Sequence, residues 1–487
     1  MEVKKHIAKI VSFVLAFVLT AGHITGCTPG GTSRESTGDT ESFSDMIAYV
    51  TEDTEDPPAE TSETAPGTEY PQPPKTTENP PETTSPPETT DKATETSFTP
   101  PETTTKAPET TSPPETTSKA PETTSPPETT GKVPAPEPPG PFSVDELLAG
   151  MTLRQKVGQL FIVRPEALEK AAGNKASGVT KLSDDAAKAL ERYPVGGIAM
   201  FSANIVSPGQ ITAFNKALQN ASYIPLFIAV DEEGGRVARL ANNSAFGLPK
   251  YKSATAVGSS GNSADALSMG RTIGAYLKKY GFNMDFAPVA DVNTNPANTV
   301  IGSRAFSSDA ETAARMVKAM AEGLREEGII PVFKHFPGHG DTFEDSHSSI
   351  AISRKTEEEM ESCEWLTFKE AMSTDCIMIG HIAAPSITGD MTPASMSHTI
   401  VTEILRNKLG FDGLIITDSL EMGAITSDYS DAEAAVGAIL AGCDIILMPS
   451  NFTKAFDAVL AAVENGTISE QRLDESVRRI LTQKLDS

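Results

Sequence analysis

Short apolar runs alternate with longer amphipathic segments through the C-terminal part of the chain. In the longer segments apolar residues recur with the period of a helix, which predicts helices that include 264–280, 310–327, 356–372 and 432–440. Serine or aspartate often precedes such segments, and glycine follows at Gly281, Gly328 and Gly442, as is usual at helix ends. The short runs predict eight strands, at 157–163, 196–201, 225–230, 283–289, 330–333, 376–380, 414–417 and 444–448.

Strands that alternate with helices indicate βαβ units and a parallel sheet. Eight such units within residues 142–487 predict an α/β fold of the (β/α)8 TIM-barrel type, with room for inserted loops. The alternative is an open doubly wound sheet, which would call for a glycine-rich phosphate turn after the first strand. The sequence has no such turn there, so the barrel is favoured.

The first 27 residues have the pattern of a secretory signal. Lys4, Lys5 and Lys9 precede an apolar run at 10–21, and the segment ends in Ile-Thr-Gly-Cys at Cys27. This ending resembles a bacterial lipobox, which implies cleavage before Cys27 and a lipid on its sulfur. The alternative, an uncleaved membrane anchor, is disfavoured because a bilayer span needs about 20 apolar residues. We therefore expect a protein anchored by lipid on the extracellular face of the bacterial cell membrane.

Residues 28–141 are built largely of proline, glutamate, threonine and serine, and the repeat at 107–117 recurs from Ala120. Such a segment cannot bury a core, so we predict a disordered linker that reaches at most about 3.1 Å per residue. Roughly half of the net charge of −26 falls between residues 51 and 140. The charge therefore describes the linker, and without a basic stripe nucleic acid is excluded as a partner. A spacer across the cell wall and a plain flexible connector both fit, and a tethered domain favours a monomer.

Three cysteines remain after Cys27: Cys363, Cys376 and Cys443. An odd number of widely spaced cysteines makes a poor disulfide framework, so buried free thiols are expected.

Polar residues follow most of the predicted strands, at the ends where a barrel of this type places its active site. They include Asp231 after the third strand, Asp291 after the fourth, Lys334 and His335 after the fifth, His381 after the sixth and Asp418 after the seventh. A single aspartate in such a place is more often a helix cap. Polar groups from five strands that converge on one mouth predict a functional site.

The loop at 334–347 concentrates three of the seven histidines of the chain. His335 and His339 are spaced as zinc ligands on a helix would be, but Pro337 and Gly338 break such a helix, so a metal is not expected. A carboxylate at a strand end with a separate proton donor on a loop suggests glycoside chemistry. His347 suits the donor role, because its unperturbed pKa of about 6.5 allows it to act as acid and then as base. Asp345 could orient it.

Five segments together resemble the catalytic barrel of family 3 glycoside hydrolases, and within that family they are similar to the bacterial β-N-acetylglucosaminidases. They are KHFPGHGDTFEDSH from Lys334, AVDEEGGRVARL from Ala229, FAPVADVNTNP from Phe286, IGSRAF from Ile301 and GFDGLIITDSLEMGAI from Gly410. The resemblance extends over residues 142–487.

The resemblance implies roles for individual residues. Asp418 would be the nucleophile, His347 the general acid/base and Asp345 its partner. The positions that match sugar-binding residues are Asp231, Arg304, Lys334 and His335, while Asp291 and His381 would have supporting roles. No cofactor is implied.

The expected function is a retaining, exo-acting β-N-acetylglucosaminidase that acts on carbohydrate, in particular peptidoglycan-derived fragments. Typical family 3 β-glucosidases carry their acid/base in a second domain, and this chain ends soon after the last predicted helix, which favours the glucosaminidase branch. Three alternatives stay open: a β-glucosidase, an N-acetylglucosaminide phosphorylase and a non-catalytic glycan-binding lipoprotein.

Overall fold

A computed structural model describes residues 143–343, 346, 349–372 and 374–486. Eight parallel strands form one sheet, with neighbours in the order β7-β6-β5-β4-β3-β2-β1-β8. A parallel bridge between Ile416 and Ile445 joins β7 to the residue before β8 and brings the two ends of this order together. The strands are β1 Phe161–Val163, β2 Gly197–Met200, β3 Phe227–Val230, β4 Met284–Asp285, β5 Ile330–Phe336, β6 Cys376–Ile379, β7 Leu414–Thr417 and β8 Ile446–Leu447. The α/β barrel predicted from the sequence is therefore confirmed.

Helices separate the strands. They are α1 Val144–Gly150, α2 Leu153–Gln159, α3 Pro165–Ala171, α4 Asp184–Arg192, α5 Pro208–Ala221, α6 Ala254–Gly258, α7 Ser263–Lys279, α8 Ala310–Glu326, α9 Glu357–Ser362, α10 Glu364–Phe368, α11 Pro385–Thr388, α12 Gly423–Thr426, α13 Asp431–Ala441, α14 Phe452–Glu464 and α15 Glu470–Asp486. A π-helical segment spans Thr399–Lys408, and short 3-10 turns lie at Ser202–Asn204, Gly302–Arg304 and Ala394–Met396. Two short strand pairs flank the barrel mouth: Glu232–Gly234 with Val237–Ala238, and Ala351–Ile352 with Ile382–Ala383.

All eight predicted strands are present, but three of their limits were wrong by three residues or more. The fourth strand ends at Asp285 and not at 289, where Val289 keeps only an isolated bridge to Lys334. The first predicted run begins inside helix α2, so β1 starts only at Phe161. The fifth strand continues to Phe336, so Lys334 and His335 lie within β5 and not after it. Both side chains are buried, and carboxylates pair with them inside the barrel. The apolar run in the sequence ends at Phe333. The apolar pattern therefore cannot show that β5 continues through polar residues, because the partners of those residues are distant in sequence.

The predicted helix at 356–372 was also wrong, because it is split at Cys363 into α9 and α10 and ends at Phe368. The indole ring of Trp365 stacks on the ring of Phe336 with centroids 6.0 Å apart, and the ring of Phe368 meets the same ring edge-on at 5.2 Å. Helix α10 therefore packs directly beneath the end of β5, which carries the polar loop.

Close backbone packing fixes the start of that loop. A Cβ atom on Gly340 would lie 1.8 Å from the carbonyl oxygen of Val292, so only glycine fits between the loop and the segment after β4. The Asn295 N–H donates to the carbonyl of Gly340, and the side-chain amide of Asn298 donates to the carbonyl of His339.

The cysteines agree in part with the prediction. Cys376 and Cys443 are buried free thiols, whereas Cys363 is free but partly exposed. The predicted signal with Cys27 and the linker at 28–141 lie outside the described residues, so their assignment stays a prediction. Within the described ranges no helix is long and apolar enough to cross a membrane.

Candidate active site

A cavity of about 360 Å³ opens at the carboxyl ends of the barrel strands. Side chains from β5, β6 and β8 line it, together with the segments that follow β2, β3, β4, β5 and β7. Ser346 belongs to the segment after β5, and Met448 directly follows β8. Of the residues proposed from the sequence, the structure brings together Asp231, Arg304, Lys334, His335 and Asp418 at this one cavity. Asp231 and Asp418, the first and the last of these residues, are 187 positions apart in the sequence, and the barrel topology brings them to one cavity.

Lys334 lies at the centre of an ionic network on one wall. Its Nζ lies 2.7 Å from Oδ1 of Asp231 and 2.7 Å from Oε1 of Glu233. Arg304 donates to Glu233 through Nε and Nη2, each at 2.8 Å, in a bidentate pair. Arg239 lies on the other side, with Nη2 3.3 Å from Oδ2 of Asp231. Because two carboxylates and three cations interlock, each polar group is held in one orientation.

The network keeps Glu233 and Lys334 ionised although both are buried. Burial alone would raise the pKa of Glu233, but the charges of Arg304 and Lys334 hold that pKa far below its ordinary value. Burial would lower the pKa of Lys334, yet Asp231 and Glu233 outweigh it and raise that pKa. The wall therefore offers fixed charges and hydrogen-bonding atoms to a polar ligand at neutral pH.

Sequence reasoning missed Glu233, which joins Lys334 to Arg304. It lies in the Glu232–Gly234 strand directly after Asp231, where successive side chains point to opposite faces. Asp231 and Glu233 line the cavity, whereas Glu232 points away and accepts hydrogen bonds from the hydroxyl of Tyr276 and from two backbone N–H groups. The alternation in Asp-Glu-Glu was the signal that could have identified Glu233. Arg239, Phe201, Glu421 and Met448 also line the cavity and had no pattern to single them out.

Asp418 directly follows β7 and lines the cavity. Its N–H donates to the carbonyl of Ile379, and its Oδ1 accepts the N–H of Ser419 at 2.7 Å. Its Oδ2 makes no hydrogen bond within the described part of the chain. Burial opposes ionisation, but His335, the N–H of Ser419 and the charge of Lys334 hold the pKa of Asp418 below its ordinary value. The result is an ionised carboxylate with one oxygen held and one available.

His381 is buried behind Asp418. Its Nε2 lies 2.9 Å from the carbonyl of Ser419, and its Nδ1 lies 2.9 Å from Oγ of Ser395. Burial lowers the pKa of His381, so the neutral ring is favoured, with Nε2–H donating to the carbonyl. His381 therefore fixes the backbone beside Asp418 and does not itself line the cavity.

Asp291, in the segment after β4, orients His335 within β5 and His339 in the loop that follows β5. Its Oδ2 lies 2.7 Å from Nδ1 of His335, and its Oδ1 accepts the N–H of His339 at 2.7 Å. The two rings of His339 and His335 meet edge-on with centroids 5.8 Å apart. Asp291 is fully buried and does not line the cavity, so it acts on the cavity only by holding His335 and His339 in place.

The ring nitrogens of His339 are both occupied. Nδ1 lies 2.7 Å from the hydroxyl of Thr342, and Nε2 lies 3.1 Å from the hydroxyl of Ser346. Across the residues that the structure describes, no group of three or more His, Cys, Asp or Glu side chains is arranged to hold a metal ion. Asp345 and His347 lie outside the described residues, and Ser346 between them is buried and lines the cavity.

Comparison with known proteins places this geometry in a family. Residues 152–483 match the glycosyl hydrolase family 3 N terminal domain. Beta-hexosaminidase A of Pseudoalteromonas piscicida is 32% identical over 339 residues, which are 64% of this chain and 57% of that protein. Beta-hexosaminidase LpqI of Mycobacterium tuberculosis is 34% identical over 326 residues, which are 62% of this chain and 78% of that protein.

A solved structure agrees with these relatives. A glycoside hydrolase family 3 β-N-acetylglucosaminidase from a Paenibacillus species superposes with a TM-score of 0.64 at 38% identity, over 69% of this chain and 62% of that one. This chain thus spans less than two thirds of the length of that enzyme and of the Pseudoalteromonas relative. Because the match to the family domain covers most of the chain, the chain belongs to glycosyl hydrolase family 3.

Proposed function

We propose that this protein is a retaining, exo-acting β-N-acetylglucosaminidase. The observation that carries the proposal is the cavity in which the ionised carboxylate of Asp418 faces the network of Asp231, Glu233, Lys334 and Arg304. A nucleophile next to fixed donors and acceptors is what cleavage of a hydroxylated sugar needs. The relatives named β-hexosaminidase and the Paenibacillus β-N-acetylglucosaminidase support the choice of an N-acetylated sugar.

In the first step Asp418 forms a bond to the anomeric carbon while the bond from that carbon to the leaving oxygen breaks. His347 gives its proton to the leaving oxygen. In the second step His347 takes a proton from water, the water oxygen attacks the anomeric carbon, and the ester to Asp418 breaks. Two inversions give net retention, and no cofactor takes part.

The network positions the sugar during both steps. Asp231 accepts hydrogen bonds from sugar hydroxyls, and Lys334, Arg304 and His335 donate to hydroxyl or acetamido oxygens. Because the partners of these side chains are already in place, little free energy is needed to order them when substrate binds.

Initial rates on 4-nitrophenyl N-acetyl-β-D-glucosaminide and 4-nitrophenyl β-D-glucoside test the proposal with residues 139–487. We expect a strong preference for the N-acetylated sugar. Preference for the glucoside would identify a β-glucosidase, and turnover of neither would favour a non-catalytic glycan-binding protein. Formation of a sugar 1-phosphate when phosphate is added would identify a phosphorylase.

The value of kcat/KM should fall at low pH when Asp418 is protonated and at high pH when the histidine acid loses its proton. The pKa of Asp418 is held below its ordinary value of 3.8, so its reactive carboxylate persists until the pH falls below that value. A histidine acid with an unperturbed pKa of about 6.5 loses its proton above that pH. We therefore expect a plateau between about pH 4 and pH 6.5. Thermal melting at each pH separates unfolding from titration, and a rising limb centred between pH 5 and pH 6 would contradict this assignment.

His347→Ala should affect substrates according to their leaving group. For an N-acetylglucosamine disaccharide, whose leaving oxygen must be protonated, kcat/KM should fall by roughly 10²-fold or more. For a 2,4-dinitrophenyl glucosaminide, which leaves as a stable anion, glycosylation should slow far less. The control is His398→Ala, since His398 is exposed and is not among the residues that line the cavity. Equal losses on both substrates would argue against His347 as the acid.

We also propose that the protein is lipid-anchored through Cys27 and acts on peptidoglycan-derived fragments outside the membrane. The signal pattern and the long linker support the location, and the family supports the substrate class. Metabolic labelling with an alkyne fatty acid should label the wild-type protein and not Cys27→Ser. Release of N-acetylglucosamine from purified muropeptides tests the substrate.

A further inference from the structure

A buried chain of hydrogen bonds leads from the cavity wall to the loop after β5. His335 lines the cavity of about 360 Å³, and its Nδ1 lies 2.7 Å from Oδ2 of Asp291. The other oxygen of Asp291 accepts the N–H of His339 at 2.7 Å. Nε2 of His339 lies 3.1 Å from the hydroxyl of Ser346, which lines the same cavity. The chain therefore begins and ends at the cavity, and His339 joins its two halves.

The backbone and the ring of His339 are held in one place. The carbonyl accepts the amide of Asn298 at 2.8 Å and the hydroxyl of Thr342 at 3.0 Å, and Nδ1 lies 2.7 Å from that same hydroxyl. All three residues are buried, and His339 is only 2% exposed. Because the ring cannot turn without breaking a buried hydrogen bond, Nε2 keeps a fixed position.

The ring of His339 is neutral and fully engaged. Burial lowers its pKa, so at neutral pH one ring nitrogen donates and the other accepts. The hydroxyls of Thr342 and Ser346 can each take either role, so both hydrogen bonds form whichever nitrogen carries the proton. His339 also lines the cavity, but both its nitrogens are occupied by these hydroxyls. Any contribution of the ring nitrogens to catalysis therefore passes through their partners.

Ser346 connects this support to the proposed chemistry. It is 3% exposed, and peptide bonds join it to Asp345 and His347, the proposed orienting carboxylate and acid. Consecutive Cα atoms are about 3.8 Å apart, so an anchored Ser346 limits where the proton donor can lie. A proton donor must come within about 3.2 Å of the atom that it protonates. A misplacement of about 1 Å can cost roughly 10²-fold in rate.

We propose that His339 is a positioning residue for the general acid, because by holding the hydroxyl of Ser346 it fixes where the leaving oxygen is protonated. This inference rests on the proposed glycosidase mechanism with His347 as the acid. Loss of His339 should slow the reaction where the leaving oxygen needs a proton, and much less where the leaving group departs as a stable anion. A residue that only stabilised the fold would lower both rates alike.

Two substrates that share a sugar and differ in leaving group test this inference. N,N′-diacetylchitobiose requires protonation of its leaving oxygen, whereas 2,4-dinitrophenyl N-acetyl-β-D-glucosaminide does not. The measured quantity is the ratio of kcat/KM on the disaccharide to kcat/KM on the aryl glycoside. For His339→Ala in the full chain we expect this ratio to fall about tenfold. For His339→Gln, whose amide is long enough to reach Ser346 in place of Nε2, we expect a fall of about threefold.

Asn215→Ala is the matched structural control. The amide of Asn215 is buried and donates to the carbonyl of Tyr280 at 3.0 Å, and Asn215 does not line the cavity. This variant should melt at a lower temperature and keep the wild-type ratio. Ser346→Ala removes only the hydroxyl, so its ratio should fall as well even if His339→Ala does not fold. An unchanged ratio in Ser346→Ala or in folded His339→Ala, or an equal fall in Asn215→Ala, would overturn the inference.

The His347→Ala background separates this inference from the proposed function. Without the acid, His339 has nothing to position, so His347→Ala/His339→Ala should have the ratio of His347→Ala alone. A further tenfold fall would show that His339 acts elsewhere, and would overturn the inference while the glycosidase activity stands. If the wild-type protein hydrolysed neither substrate, the proposed function would fail, and hydrogen exchange in the peptide 340–353 would test the anchor. Faster exchange in His339→Ala would retain the anchor, and unchanged exchange would overturn it.

Discussion

Asp418→Ala should reduce turnover of an aryl N-acetyl-β-D-glucosaminide by roughly 10⁴-fold or more, because the variant lacks the carboxylate that forms the covalent intermediate. In the described chain Asp418 combines ionisation, an oxygen without a hydrogen bond and a position on the cavity wall. Asp231 and Glu233 also line the cavity, but cations already engage their oxygens. They cannot replace the nucleophile without breaking these pairs.

Asp412→Ala is the matched control, since Asp412 is an exposed aspartate at the opposite end of β7. It should retain wild-type rates. Trapping with a fluorinated glucosaminide and mass spectrometry of the digested protein should place the label on the peptide that contains Asp418. More than about 1% residual turnover in Asp418→Ala, or a label on another peptide, would refute the assignment.

Lys334→Met should destabilise the fold by about 3 kcal/mol and also lower kcat/KM by roughly 10²-fold. Lys334 is buried between Asp231 and Glu233 and pairs with both. The substitution removes this shared cation, so the negative charge of the two carboxylates is no longer fully compensated. Arg304 and Arg239 still contact them, which keeps the loss at the lower end of what a broken buried ion pair costs. Thermal unfolding and initial rates measure the two effects.

The control is Lys318→Met, which removes an exposed lysine from its ion pair with Glu370 and should cost less than about 1 kcal/mol. The double variant Lys334→Met/Glu233→Gln should be more stable than the sum of the single variants predicts, because it removes the uncompensated charge together with its partner. If Lys334→Met cost no more than Lys318→Met, the network would not hold the cavity wall as described.

The network and the covalent step have different requirements. Asp418 must be ionised and accessible, whereas Lys334, Glu233 and Arg304 must keep one arrangement whether or not substrate is bound. The barrel meets both requirements by placing them on different strands, with Asp418 after β7 and the network on β5 and the segments after β3 and β4. Loss of the network should therefore raise KM and lower stability, while loss of Asp418 should leave the fold intact.

Individual residues show how far the sequence predicts the site. Asp231, Lys334, His335 and Asp418 were predicted to converge, because parallel strands end on the same side of a barrel, and the structure confirms that they line one cavity. Glu233 was missed since its partners Arg304 and Lys334 are 71 and 101 positions away, as the residue numbers show. Asp291 and His381 were proposed to have supporting roles, and the structure places both one layer behind the cavity.

The sequence by itself determined the alternation of strands and helices, the eight-stranded barrel and the polar residues at its mouth. These follow from local periodicity and from the direction in which parallel strands end. Only the tertiary structure decided that β5 continues through Lys334 and His335, that the helix at 356–372 breaks at Cys363, and that the segments after β1 and β8 line a cavity of about 590 Å³. These features depend on partners distant in sequence: carboxylates that satisfy buried cations, aromatic rings that direct a helix, and loops after β1 and β8 that meet only when the barrel closes.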